Sequence, residues 1–436
     1  MGVAPGAVQP RSGRPRWPKR RSWLAGGALM VCALQAQALS LSEAVVQGLA
    51  VNPEVRAAES DVRVAATEVD IARDSYWPSV EVSAGPENSL MGELGYDVTA
   101  TQVLYDWGRI ASQVASASAE YRHRLASLKV TSDEVALDII ELYLDVVAAQ
   151  RRVVEVEGYL DRLEALAAMT DQRDLGGYSD RSESERSRLD IARAREQLAM
   201  ERGGLREAQQ ELRVLLQRDI LATRMPDPED YLASLAAPAQ VDLAIEDAPV
   251  LEQSEADVSV AKAELEESEA ALMPQLNLEG SLLRRELGGV MEEDQVIALR
   301  VRMEPIQGLS NWRRTDAAAQ RVESSQFSRR AARRDLQRTI AGLKEQYQVT
   351  QWRLEGLEEQ IDRAGEVLTT YEDQFSVGLR DIADLLSIES ERFEAARQRI
   401  DVEIQQLRLQ YRAASQLGTL AAVVPRLEEQ DIAQGG

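Results

Sequence analysis

The sequence has one cysteine, Cys32, and one histidine, His123, in 436 residues. A single cysteine leaves nothing for a disulfide framework or a cysteine-rich metal site. A single histidine removes most acid–base and metal-ligand sets, and His123, within a helical stretch, reads as a surface residue. No phosphate-binding glycine loop is present. Gly203-Gly204 is an isolated pair among helix formers. Enzymatic chemistry, a metal and a cofactor are therefore not expected. Basic charge is also scarce: 50 Lys and Arg against 73 Asp and Glu give a net charge of −23. That sign repels a phosphate backbone, so nucleic acid is not an expected partner. Aromatics make up only 5% of the chain, too few for a thick globular core. After residue 38 no apolar run approaches 18 residues, so no transmembrane helix is expected and any membrane role has to use strands.

What is present begins with a segment unlike the rest. Arg11, Arg14, Arg16, Lys19, Arg20 and Arg21 precede an apolar stretch from Trp23 to Leu34, then Ala36-Gln37-Ala38. This is the layout of a secretory signal peptide, residues 1–38, cleaved after Ala38. Cleavage removes six positive charges, taking the net charge from −23 to −29, and removes Cys32. Leu29-Met30-Val31 ahead of that cysteine is a poor lipoprotein box.

The remainder reads as a duplication. Pro53, Glu59, Asp61, Val62, Ala65, Glu68 and Pro78 recur 196 positions later as Pro249, Glu255, Asp257, Val258, Ala261, Glu264 and Pro274. Gly177, Asp180 and Glu183 recur 201 positions later as Gly378, Asp381 and Asp384. The second copy thus holds five extra residues between Pro274 and Gly378. Register across prolines and glycines argues for two structural repeats, 39–219 and 248–420, with a linker at 220–247 and a tail at 421–436. Each repeat reads as a helix (Leu41 to Tyr76, or Pro249 to Met273), two strands, a helix of about 65 residues and a third helix. The long helices, about 109–174 and 312–374, would each extend about 100 Å. Leu137, Ile140, Leu144, Val147, Val154 and Leu163 keep a coiled-coil spacing. The two shorter helices of a repeat sum to about the length of the long one and fit end to end beside it.

The strand pieces alternate. In Gln295–Met303, Ile297, Leu299 and Val301 share one face, while Ala298, Arg300 and Arg302 occupy the other. Runs of this length suit tilted membrane strands, or a small soluble sheet with one wet face. Four strands cannot close a barrel, so a membrane role requires several copies. At the two glycine breaks, Gly177 and Gly378 fit helix C-termini. Asp180 with Glu183, and Asp381 with Asp384, fit an N-cap plus an acid one turn on.

With the mature start LSLSEAVVQGLAVNPEV, the helix–proline–strand junctions, LYDWGR leading into a long helix, and FSVGLRDIADLL, the sequence resembles the TolC-type outer membrane channel proteins of Gram-negative bacteria. The resemblance covers nearly all of 39–420. It implies a mainly α-helical homotrimer with a small membrane β part. Four strands per protomer would form a twelve-stranded outer membrane barrel continuous with a helical coiled-coil tunnel in the periplasm. The linker and tail would form an equatorial belt. Implied partners are outer membrane lipid, a periplasmic adaptor protein and an inner-membrane transporter. The helix turns would form the periplasmic mouth, with Asp384 around the axis and Arg380 paired with Glu183 of a neighbouring turn, a role compatible with capping alone. Ser387 stands where a second acidic ring is common in the family, and EPIQGLSNWRR is a loose version of the second strand-to-helix turn. Without a lipobox, the expected role is the exit duct of type I protein secretion, with multidrug efflux second. An exported coiled-coil scaffold without a pore is the reading from a different class.

Overall fold

The structure, a computed structural model, describes residues 39–86, 94–175, 181–220, 223–226, 231–235, 237–287, 290–303 and 310–420. Residues 1–38, expected as a signal peptide and including Cys32, then Gly177, Asp180 and residues 421–436 lie outside the described residues.

Leu41–Val51 (α1) and Pro53–Asp74 (α2) open the chain. The sequence pattern predicts one helix over Leu41–Tyr76, and the structure breaks it at Asn52. The cause is local: Pro53 disfavours helix in the residue before it, and Asn52 has ψ 127°. Asn52 then caps α2, its side-chain oxygen accepting from the amides of Glu54 at 2.7 Å and Val55 at 3.3 Å. Strands Ser79–Pro86 (β1) and Leu94–Tyr105 (β2) follow, then α3 (Arg109–Leu175) and α4 (Arg181–Leu216). Short helices Tyr231–Ser234 (α5) and Pro238–Glu246 (α6) lie in the linker. The second repeat is α7 (Pro249–Ala270), β3 (Gln275–Leu287), β4 (Val290–Arg302), α8 (Ser310–Ser376) and α9 (Ile382–Gln416).

The duplication holds element by element. Helices α2 and α7 both have 22 residues at offset 196, and α3 and α8 both have 67 at offset 201. Seven residues separate β4 from α8 where three separate β2 from α3, so four of the five extra residues sit in the second strand-to-helix connection. At 1.5 Å per residue each long helix runs about 100 Å.

Helix α2 packs on the strand-proximal half of α3, and α4 on its far half; α7 and α9 divide α8 in the same way, and α3 also touches α7 and α9. The shorter helices meet near the middle. Gly418, at φ 71°, ends α9 so close to α7 that a Cβ there would lie 2.1 Å from Pro249 Cδ. Gly48 lets α1 press onto α3, since a Cβ would stand 2.4 Å from Ile139 Cδ1. The core at this level joins Ala44, Val45, Ile139, Ile140, Leu144, Leu212, Leu216 and Ile404. Buried Tyr143 ties Leu39 and Arg224 to it: its hydroxyl lies 2.7 Å from the Leu39 carbonyl and 2.5 Å from that of Arg224, and accepts from the Arg224 amide at 3.0 Å. Burial pushes its pKa up to about 12, so it stays a donor.

Two expectations need correction. Val154 is 67% exposed, whereas Val153 and Val156 are buried. A straight helix at 3.6 residues per turn drifts off a strict seven-residue stripe, and the buried positions shift accordingly. His123 is half-buried between helices: its side chain is 18% exposed, with Nδ1 2.7 Å from Asp257 on α7 and Nε2 3.2 Å from Gln253.

Candidate functional site

The four strands form one antiparallel sheet in the order β1-β2-β3-β4. Cross-strand pairs put Val80 opposite Ala100, Ala100 opposite Gly280 and Gly280 opposite Ile297. Because pairs directly opposite share a face, one face carries Val80, Val82, Val98, Leu276, Leu278, Leu282, Ile297, Leu299 and Val301. Ile297 is 85% exposed, Val301 71% and Leu299 64%. The other face carries Thr99, Thr101, Asn277, Glu279, Ser281, Arg300 and Arg302. Glu279 pairs with Arg300 at 3.1 Å and Arg302 at 3.5 Å. Asn277 and Ser281 are buried, which marks this polar face as the concave side of a coiled sheet.

The apolar face has bounds. At its far end Tyr96 stands beside Arg284, whose guanidinium lies 3.9 Å from Glu293. At the helix end, exposed Tyr76, Trp77, Tyr105, Trp107 and Trp312 form an aromatic collar. LYDWGR builds part of it. Asp106 accepts from the amides of Gly108 at 3.1 Å and Ile110 at 2.7 Å, capping α3. That tight turn puts Trp107 at φ 60° and Gly108 at φ 89°. The Trp107 indole then donates to the Pro274 carbonyl at 2.9 Å, tying the turn to the second repeat. An apolar band between polar groups and aromatics is the pattern of a lipid-facing barrel wall. Among the described residues the outer edges of β1 and β4 have no strand beside them, and open edges of this length invite pairing with another copy.

The opposite end of the molecule is the α8–α9 turn. Gly378 has φ 80°; its amide donates to the Phe375 carbonyl at 3.0 Å, and that of Leu379 to Gln374 at 2.9 Å. These two bonds are a Schellman motif. Asp381 caps α9, accepting from the Ala383 amide at 3.1 Å. Asp384 lies in the first turn, but its carboxylate does not complete a capping box. It accepts instead from Arg380 Nη1 at 2.8 Å. Arg380 also donates to Gln374 at 3.0 Å and stacks 3.8 Å from the Tyr371 ring centroid. The bond that Arg380 donates to Asp384 raises the Arg380 pKa above its ordinary value. Within the chain, then, the structure brings Arg380 to Asp384. Glu183 sits in the first turn of α4. A residue the sequence did not flag, Arg173, crosses between the two hairpins: it donates to the Phe375 carbonyl at 2.9 Å and covers that ring at 4.2 Å. Its cue was a lone basic residue in the last turn of α3.

Between the tip and the middle, α3 and α9 are joined by an ion-pair ladder. Arg412–Glu141 at 2.7 Å, Arg408–Asp145 at 2.5 Å, Arg152–Asp401 at 2.9 Å and Arg151–Glu403 are its rungs. Nearer the tip, the fully buried Glu389 carboxylate is held by Arg162 and Arg392.

Known proteins share this arrangement. A membrane protein from Pseudomonas aeruginosa is similar over 87% of this chain and 90% of its own, at 18% identity and TM-score 0.73. The outer membrane protein VceC from Vibrio cholerae covers 87% and 96%, at 13% identity and TM-score 0.73. The MtrE outer membrane channel of Neisseria gonorrhoeae, in its open state, covers 87% and 88%, at 17% identity and TM-score 0.70. No curated protein sequence matches the chain. The family model described as "Outer membrane efflux protein" matches residues 44–217 and 241–421, one segment in each repeat. The chain therefore belongs to the outer membrane efflux protein family, whose members are trimeric, non-enzymatic ducts of tripartite transport systems, working with an adaptor and an inner-membrane transporter.

Proposed function

We propose that three copies of this chain form a gated exit duct, with the sheets closing a twelve-stranded barrel in the outer membrane and the helices reaching through the periplasm. The observation that carries it is the two-faced sheet with open edges. A row of valine, leucine and isoleucine side chains 64–85% exposed on β4 is costly in water and suited to lipid. Pairing β4 of one copy with β1 of the next removes both edges. Ile297, Leu299 and Val301 then face lipid, and Glu279, Arg300 and Arg302 face the lumen. The helix turns form the periplasmic mouth. Asp384 lines it, held by Arg380, and exchange of Arg380 between Asp384 and the Glu183 of a neighbouring turn is the step that frees or locks it. Gly378 and Asp381 reverse and cap the helices there.

For cargo we propose type I protein secretion, on the residues Leu29-Met30-Val31 ahead of Cys32, which do not suit a lipid anchor. Small-molecule efflux is the second reading, favoured by the family description. Purified protein in planar bilayers tests the duct: discrete, cation-selective single-channel steps support it, and a silent bilayer with folded trimer present rejects it. Deletion in the native host separates the cargoes. Loss of one secreted protein with unchanged drug susceptibility supports secretion, and the reverse supports efflux.

A further inference from the structure

Among the described residues tryptophan occurs at four positions, and three of them, Trp77, Trp107 and Trp312, belong to the aromatic collar. The fourth, Trp352, stands alone in the middle of α8, far from the sheet, and is 65% exposed. The glycine pair Gly203-Gly204 is equally unexplained. Glycine is a poor helix former, yet both residues lie inside α4 with nothing within 4 Å of where a Cβ would stand. No close approach within the protomer calls for them.

The repeat relates the two features. At offset 201, α3 corresponds to α8 and α4 to α9. Helix α9 is covered on two sides. Val402, Leu409 and Ala413 pack with α8, while Ile404, Leu407, Tyr411 and Ala414 pack with α3. It has 16 buried residues to the 7 of α4; α4 is covered mainly on its α3 side, with smaller contacts to α1 and, near the tip, to α9. Ala208 and Leu212, the equivalents of Leu409 and Ala413, are buried against α3. The equivalents of Ile404, Leu407 and Tyr411 are Gly203, Arg206 and Gln210, on the outer side. Helix α8 shows the same deficit. Ala148 on α3 is buried, whereas its equivalent Val349 is 47% exposed. Arg151 on α3 pairs with Glu403 of α9; the equivalents of these two residues are Trp352 and Arg202. Asp401, the partner of Arg152, has as its equivalent Met200, which is 62% exposed.

We propose that α8 of one protomer packs on α4 of the next as α3 packs on α9 within the chain, with the Trp352 indole seated in the notch left by Gly203-Gly204. Val349 and Met200 extend the apolar contact, and Arg202 beside the notch is held by Glu157 of its own α3 at 2.7 Å. The inference rests on the trimeric reading above and supplies the residues of its seam. The occupant is a second copy of this chain, because the outer faces of α8 and α4 are complementary: the exposed Trp352 and Val349 on α8 face a stretch of α4 that carries exposed Met200 and lacks side chains at Gly203-Gly204. A head-to-tail contact of this kind closes into a ring, and a buried tryptophan in a pocket is the usual anchor of such an interface. Inside the chain Arg151 and Ile404 stand at these positions, one in an ion pair and one in the apolar core; between chains their equivalents are the indole and its notch.

The test uses the full-length protein and the temperature at which its trimer dissociates on a denaturing gel. Gly203→Leu improves helix propensity, so the protomer is not weakened, but it fills the notch; the dissociation temperature should fall by several degrees. Adding Trp352→Ala should restore most of that loss. In a Cys32→Ser background, cysteines replacing Trp352 and Gly203 in the same chain should give covalent dimers and trimers with a short thiol cross-linker, and either cysteine alone should not. A Gly203→Leu trimer as stable as the wild type, or no covalent ladder from an intact trimer, overturns the inference. Wild-type protein that stays monomeric in detergent and membranes overturns the trimeric reading instead.

Discussion

Replacing Ile297 with arginine places a charge at the centre of the proposed lipid face. The apolar band runs along β3 from Leu276, beside Tyr105, to Arg284, beside Tyr96. Eight residues at about 3.3 Å each give roughly 26 Å along the strand, or about 20 Å of height at a tilt near 40°. Gly280 is the midpoint, and Ile297 is its partner on β4. A midplane arginine on the lipid side costs about 2–4 kcal/mol, hence about 6–12 kcal/mol for three copies. Ile297→Arg should therefore abolish most of the heat-modifiable trimer in outer membrane fractions. The cost falls towards the interface, to about 0–1 kcal/mol per residue, so Leu299→Arg should be intermediate and Val301→Arg mildest. Ala298→Arg is the control. It lies on the polar face opposite Glu279, where an added cation meets a carboxylate, and trimer levels should stay near wild type. Normal assembly of Ile297→Arg, or a worse defect in Ala298→Arg, would refute the facing of the sheet.

Arg380→Ser should raise single-channel conductance severalfold and sensitise cells to large antibiotics without loss of trimer; wild-type conductance would remove Arg380 from the gate. Asp384→Ala removes the same clasp from the other side and should also weaken block by trivalent cations, since three carboxylates near an axis attract cations; capping by Asp381 is untouched, so helix content should not change. Tyr143→Phe leaves the Arg224 carbonyl without its donor, while the Arg224 amide keeps the Leu39 carbonyl at 3.2 Å; the loss of about 1–3 kcal/mol per protomer is read as a lower urea midpoint. Because the pKa of Tyr143 rises from 10.0 to about 12 on folding, wild-type stability should hold below pH 10 and decline as pH rises from there towards 12, and the phenylalanine variant should lose that part of the alkaline decline.

The sequence by itself determined the duplication, because prolines and glycines in register mark helix ends whatever the helices pack against. It also set the length of α3 and α8, since nothing between their capping turns stops a helix, and the alternation of β4, since a period of two sorts side chains without knowledge of the partner strand. Pro53 was in register with Pro249, yet the pattern ran one helix through it, and the structure splits α1 from α2 there. Tertiary structure alone decided the rest. Which strand edges stay open follows from the order β1-β2-β3-β4, and pairing between repeats leaves no local trace in sequence. Arg380 chose Asp384, Gln374 and Tyr371 because the Schellman turn at Gly378 folds it back onto its own hairpin. Arg173 and Glu389 matter through partners about 200 residues away, and charges so common in this chain carry no signal until the helices are laid side by side. The uneven covering of α4 and α9, equivalent helices in the duplication, likewise exists only once one of them has acquired a neighbour on each side.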